Sequence, residues 1–308
     1  MSRVAGAERP GCRLIGELSP PRPSPIPPGF AVRRAFYTYS YTDRLGLDID
    51  HTFAEIARWG YEGIDESSTF GPHINSSSVS PERRRAIRDA ARRHGLRVEA
   101  IVTHAELSTS LFSAEPLDLV AALDLAADLG GDVVTFHLGG PVPDVPLREV
   151  WRQTVATLRA ALVSADSRHL RLAIDLGPWP TWLVTTPDQL QQLFDDVASN
   201  TLGINFDPSY LAVQEIDPLG FLRRFVSRVC HAHLKDHRGR YPRWEHHIPG
   251  RGELDYVPLV RELAQHRFQG SLAIECFTNM PLSTACEVGY NTLSVALQQI
   301  PADRPSPR

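Results

Sequence analysis

Lysine is almost absent from this chain: of 32 basic residues, 31 are arginines and the one lysine is Lys235. Such a bias has the look of codon pressure from a GC-rich genome. Basic charge of either kind is also outnumbered, with 36 acidic residues and a formal net charge of -4. That balance excludes a dominant electrostatic attraction to nucleic acid or to an anionic membrane surface, which needs a basic face. Cysteine is scarce as well. Cys12, Cys230, Cys276 and Cys286 show no CxxC pair and no framework spacing, which excludes a cysteine-rich zinc module and a disulfide scaffold and leaves reduced thiols of a cytosolic protein. No run approaches the ~18 apolar residues of a membrane span, and the first residues lack the apolar core of a secretory signal, so a cytoplasmic location is expected. A glycine-rich phosphate loop is missing too, which weighs against a doubly wound nucleotide-binding sheet.

What the chain does contain is a periodic alternation. Residues 1–30 hold a proline cluster from Pro20 through Pro28, which offers few amide donors and little apolar surface, so an unpacked, disordered leader is expected there. Beyond it, short β-branched or aromatic runs alternate with stretches of helical period, the signal of repeated βα units and a parallel sheet. Eight strands are predicted: 35–39, 63–66, 97–102, 133–138, 170–176, 203–207, 228–234 and 271–277. Ser80 before Pro81 and Thr186 before Pro187 mark helix starts, and Gly95 marks a helix end. Leu119, Ala122, Leu123, Ala126 and Leu129 form one apolar stripe able to cover a sheet. Eight consecutive units predict an α/β fold closed as a (β/α)8 barrel over residues 31–300, with 301–308 as a tail.

The densest chemistry is His231-Ala-His233-Leu-Lys235-Asp236, where strand alternation puts His231, His233 and Lys235 on one face. Asp175, Asp207 and Glu275 each follow an apolar run at the end of the fifth, sixth and eighth predicted strands. In a barrel these acids and His233 converge at the C-terminal rim, where barrel enzymes place their active sites. Three carboxylates meeting there repel unless a cation or protonation neutralises them. Carboxylate oxygens with one imidazole suit Mn²⁺ first, with Mg²⁺, Co²⁺ or Zn²⁺ as alternatives. Capping of the following helix is the plainer role for Asp207. Glu66, His104, His137, Trp179, His247 and Arg251 fall at strand ends or rim loops and are further candidates for substrate contact. A loop-backbone hydrogen bond is an equal alternative for His137.

Asn205-Phe-Asp-Pro-Ser209, Ile216-Asp-Pro218, His231-Ala-His-Leu-Lys-Asp236, Pro249-Gly-Arg-Gly-Glu-Leu-Asp255 and Ala273-Ile-Glu-Cys-Phe277 resemble successive motifs of the xylose isomerase-like barrels. This is the sugar phosphate isomerase/epimerase superfamily, which includes tagatose epimerases, inosose dehydratases and hydroxypyruvate isomerases. The resemblance runs from about Arg33 to Ile300 and is densest between Leu172 and Phe277. It implies a divalent metal held by Asp175, Asp207, His233 and Glu275. Two positions depart from the family pattern: Asp175 stands where a glutamate is usual, and Tyr210 where a substrate-contacting or metal-binding histidine is usual.

The implied activity is isomerisation or epimerisation of a small sugar, ketose or cyclitol through a metal-stabilised enediolate. Glu275 would move the proton, Asp175 would act from the opposite face, and Lys235 would place an ammonium where this arginine-rich chain needs one. His231, His137, Trp179, Tyr210, His104, Glu66, Arg251 and His247 would contact substrate. Dehydration of an inosose-like keto sugar, or a barrel that has lost catalysis, are the alternatives. The endonuclease branch, which uses several zinc ions, is disfavoured because Tyr210 and Glu245 stand at or near positions that would need histidine. Partners are then a small-molecule substrate and other copies of the chain in a homo-oligomer, with no nucleic acid and no membrane.

Overall fold

The computed structural model describes residues 26, 30–42, 44–68, 79–113, 117–177, 179–180, 182–277 and 279–300. Most of the leader and the whole 301–308 tail lie outside the described residues. Eight parallel strands close into a barrel: β1 (Arg33–Tyr37), β2 (Gly63–Ser67), β3 (Arg97–Glu106), β4 (Val133–His137), β5 (Arg171–Asp175), β6 (Leu202–Phe206), β7 (Val229–Leu234) and β10 (Ser271–Ile274). β1 completes the circle by pairing with β10, placing Arg33 beside Ser271 and Phe36 beside Ile274. β2, β4 and β6 are buried at every position, as parallel strands are when one face points into the barrel and the other lies under helices.

The helix signals hold. Ser80 Oγ accepts from the Arg83 amide at the start of helix Pro81–Arg93, and Thr186 and Gln189 form a reciprocal capping box on helix Pro187–Val197. The stripe from Leu119 to Leu129 is buried along helix Leu119–Leu129. At the N-terminal side, Phe30 is only 4% exposed and belongs to the core, and Ile26 packs against it. Packed chain therefore begins inside the 1–30 segment.

One element has no counterpart among the predicted strands. β8 (Asp236–Arg240) and β9 (Arg243–His247) form an antiparallel hairpin directly after β7. Its base is anchored by Asp236, which is fully buried. Asp236 Oδ1 accepts from the amides of His237, Glu253 and Leu254 at 2.9, 2.9 and 3.0 Å, and Oδ2 from those of Gly250 and Gly252 at 3.1 and 3.0 Å. Gly252 is required by this approach, since a Cβ there would stand 2.2 Å from Asp236 Oδ1. The motifs ending at Asp236 and beginning at Pro249 are thus two halves of one loop anchor.

Asp236→Asn should weaken the fold noticeably. Whichever way the amide lies, its NH₂ group faces backbone donors and at least two bonds are lost. At about 1.5–3 kcal/mol for each hydrogen bond to a charged group, a total loss near 3 kcal/mol is expected. Urea unfolding followed by circular dichroism reads it directly, and an unchanged midpoint would show that other contacts hold the loop.

Candidate active site and metal centre

Alternation along β7 turns His231, His233 and Lys235 inward, and all three are essentially inaccessible to solvent. They lie at different depths. His231 Nε2 lies 2.8 Å from Asp65 Oδ2, and Ser271 Oγ lies 2.9 Å from His231 Nδ1. His231 and Ser271 also line a cavity of about 430 Å³ with Arg33, Glu99 and Arg171, residues at the N-terminal ends of their strands. His231 therefore lies toward the barrel floor, a depth that a one-face pattern does not reveal.

His233 is the hub of the centre. Its Nε2 lies 3.1 Å from Asp65 Oδ2, while its Nδ1 lies 3.1 Å from Glu275 Oε2 and 3.7 Å from Asp175 Oδ2. Lys235 extends further up, with Nζ 2.8 Å from Asp207 Oδ2 and 2.9 Å from Glu275 Oε2. The ammonium also stands 3.9 Å from the centre of the Tyr210 ring and 5.2 Å from that of Phe277. The two oxygens of Asp207 divide the roles weighed for it. Oδ1 accepts from the Ser209 amide and hydroxyl at 2.8 and 2.6 Å, capping helix Pro208–Val213, while Oδ2 faces the centre. Asn205 donates to Asp175 Oδ2 at 3.0 Å, which orients the shorter side chain on β5.

Burial sets the electrostatics. It pushes the Asp175 carboxyl upward, with the charge of His233 opposing. It works against the charge of Glu275 too, but Lys235 and His233 outweigh it and hold that carboxyl well below its usual range. Burial likewise opposes the His233 cation, yet Glu275 and Asp65 raise its pKa to about 10. Asp65 is held down to about 2, because the two histidines prevail over its desolvation.

Carboxylate oxygens and one imidazole are donors of the kind that suit a divalent cation. Asp175 Oδ1 is buried without a hydrogen-bond partner, while Asp207 Oδ2 and His233 Nδ1 make no well-angled hydrogen bond and meet only Lys235 Nζ at 2.8 Å and Glu275 Oε2 at 3.1 Å; buried polar atoms of native proteins ordinarily have a partner. The three atoms belong to three different strand ends, with His233 Nδ1 beside Glu275 Oε2 and Lys235 between Asp207 Oδ2 and Glu275 Oε2. Among the described residues, the group whose ligand atoms all lie within 4.8 Å of one another is Asp65, His231 and His233, which could hold a metal. There, however, one carboxylate oxygen already sits at hydrogen-bond distance from both imidazoles. This is the arrangement by which an outer carboxylate fixes a histidine tautomer and leaves the other ring nitrogen for a ligand.

Above the centre, aromatic rings and imidazoles form a closed collar. His137, Trp182, Trp179, Trp244, His246, Phe277 and His104 follow one another, and back to His137, at centroid separations between 5.0 and 6.5 Å. Burial keeps the imidazoles neutral, lowering His104 to about 3, His137 to about 4 and His246 to about 3. His137 Nδ1 donates to the Asp175 carbonyl at 3.2 Å, the loop-backbone bond weighed for it, while its ring still joins the collar. His104 is hydrogen-bonded to the Tyr37 hydroxyl. Arg251 and His247 line a side cavity of about 380 Å³ with Arg238, His246 and Phe277.

The β2 acid that touches the histidines is Asp65; its neighbour Glu66, a candidate for substrate contact, is also buried. Asp65, Asn205, Trp182, Trp244 and His246 had no place in the sequence-predicted site. Asn205 lies inside a quoted motif and could have been found two residues before Asp207. Trp244 and His246 arrive on the hairpin, which left no clear signal.

Comparison with known proteins agrees with this architecture. Residues 53–289 match the family described as xylose isomerase-like TIM barrel, and the chain belongs to that family. An inosose dehydratase of Clostridium perfringens is 27% identical over 108 residues, covering 30% of this chain and 36% of the relative. The chain thus spans little more than a third of that relative's length. A fructoselysine 3-epimerase of Escherichia coli O157:H7 is 19% identical over 245 residues, 75% of this chain and 86% of the relative. Among solved structures, the IOLI protein with a bound zinc atom superposes with a TM-score of 0.71 at 12% identity, over 88% of this chain and all of that one; this is a likeness of fold. Among the described residues, no helix is long and apolar enough to cross a membrane.

Proposed function

We propose that this chain is a divalent-metal-dependent isomerase or epimerase of a small sugar, ketose or cyclitol. The observation that carries the reading is the meeting of Asp175 and Glu275 at His233 and of Asp207 and Glu275 at Lys235, with Asp175 Oδ1 buried and unpartnered among them. When bound there, the metal would supply Lewis-acid polarisation of a carbonyl and offset the negative charge left by proton removal. Asp65 would hold His233 by Nε2 so that Nδ1 faces inward, and Asn205 would hold Asp175.

Glu275 and Asp175 form a pair of carboxyls that their surroundings push in opposite directions, the pattern that separates base from acid. Glu275 would take the proton next to the carbonyl, and Asp175 would act from the opposite face. The collar would offer flat apolar walls to the C–H faces of a ring. Retained hydroxyls and a carbonyl would meet the polar centre below.

Dehydration is the second reading, favoured by the match to an inosose dehydratase; it begins with the same proton removal and ends with loss of hydroxide. A panel of ketoses and inososes incubated in D₂O with Mn²⁺ tests both. Deuterium at the carbon beside the carbonyl with unchanged composition supports isomerisation or epimerisation, and a product lighter by one water supports the dehydratase. Neither outcome with any member, in protein shown to hold metal, would overturn the enzymatic reading for these substrates.

A further inference from the structure

Lys235 is the only ammonium side chain in the protein, and it is fully buried. Its Nζ bridges Asp207 Oδ2 and Glu275 Oε2 at 2.8 and 2.9 Å, two oxygens that the proposed metal site also requires. A divalent cation of the kind proposed would approach each of them to about 2.0–2.2 Å. An ammonium already at hydrogen-bond distance from both competes for the same lone pairs.

Without a metal, Asp175, Asp207 and Glu275 are desolvated together, and buried carboxylates of like charge are tolerated only with a counter-cation. We infer that Lys235 is a resident counter-cation that holds the metal-free centre together and must release Asp207 and Glu275 when a divalent ion enters. The inference rests on the metal reading above and adds to it a built-in antagonist of metal binding.

The side-chain chemistry suits this role. Arginine serves at every other basic position, but its rigid, multiply donating fork would lock onto both carboxylates. A lysine ammonium on a flexible stem forms a bridge that can swing away. Tyr210, which replaces the histidine usual at that position in the family, lies under the ammonium at 3.9 Å. Its electron-rich face supports a cation there.

Calorimetric titration with Mn²⁺ of the full chain and of Lys235→Met tests the antagonism. The variant keeps the stem's bulk and removes the charge, so it should bind Mn²⁺ at least about tenfold more tightly while melting lower in chelator. Equal or weaker binding in the variant, with clear binding in wild type, would overturn the antagonism and leave the metal site standing. Failure of both proteins to take up Mn²⁺ would overturn the metal reading itself, and the antagonism with it.

Should Lys235→Met not fold, the wild type carries its own probe, because isotopically labelled lysine gives a single side-chain signal. Its Nζ protons, protected in the bridge, should begin to exchange rapidly with water as Zn²⁺ saturates the protein. Protection unchanged at saturating Zn²⁺ would show that the ammonium is not displaced.

Discussion

Glu275→Gln should reduce turnover by about 10²–10⁴-fold, the range of a lost general base, while lowering metal affinity far less. The amide keeps the size of the side chain and one oxygen for a cation, but it cannot accept a proton. It also removes the charge that Lys235 and His233 share, so the variant must be measured with metal saturating and its content verified. Asp175→Asn separates the two carboxylates: drawn toward the centre on a shorter arm and oriented by Asn205, Asp175 should affect metal binding and turnover together. Asp175→Glu restores the length usual in the family within a pocket shaped around the shorter residue, and it reports how far that pocket tolerates the change. Full activity in Glu275→Gln would remove Glu275 as the base and take the main support from proton abstraction.

His233→Ala is expected to have the largest structural effect. It removes the imidazole that Asp65 and Glu275 each face at 3.1 Å, leaving Asp65 with His231 and Glu275 with Lys235, and breaking a buried ion pair by removing one partner costs about 3–5 kcal/mol. Wild type should gain stability from Mn²⁺ by mass action, since a ligand that binds only the folded state raises its apparent stability. The variant should show no such gain. Melting curves with chelator and with Mn²⁺ read both effects, and a retained metal shift would place the ion elsewhere. His231→Gln separates the two candidate sets: it removes a donor from the Asp65, His231 and His233 group only, so the shift should persist if Asp175, Asp207, His233 and Glu275 hold the metal.

Much of this organisation was legible in the linear chain because its causes are local. A Ser-Pro or Thr-Pro start satisfies helix amides with the side chain next to them, so Ser80 and Thr186 announced their helices. The apolar runs before Asp175, Asp207 and Glu275 marked strands, and in a barrel every strand end of one polarity meets at one rim. The rim acids and His233 could therefore be assembled from order alone. The hairpin of β8 and β9 escaped because its strands are mixed in polarity and partly exposed, without the buried β-branched run that revealed the others. Trp244 and His246, and with them one side of the collar, were lost to view for that reason.

Periodicity, capping and strand order were enough to read the repeat of βα units, the barrel class and the family from the chain alone. How deep each inward residue sits, and which neighbour it meets across the barrel, follows from packing alone. His231 and His233 share a face two residues apart, yet one is sealed at the floor with Ser271 and the other stands between Asp65 and Glu275. Asp65 reaches His231 across 166 positions of chain, a separation at which no local pattern survives. Charge followed the same rule: Asp175 and Glu275 are both acids at strand ends, and the distance to Lys235 and His233 in a desolvated centre is what drives one up and the other down.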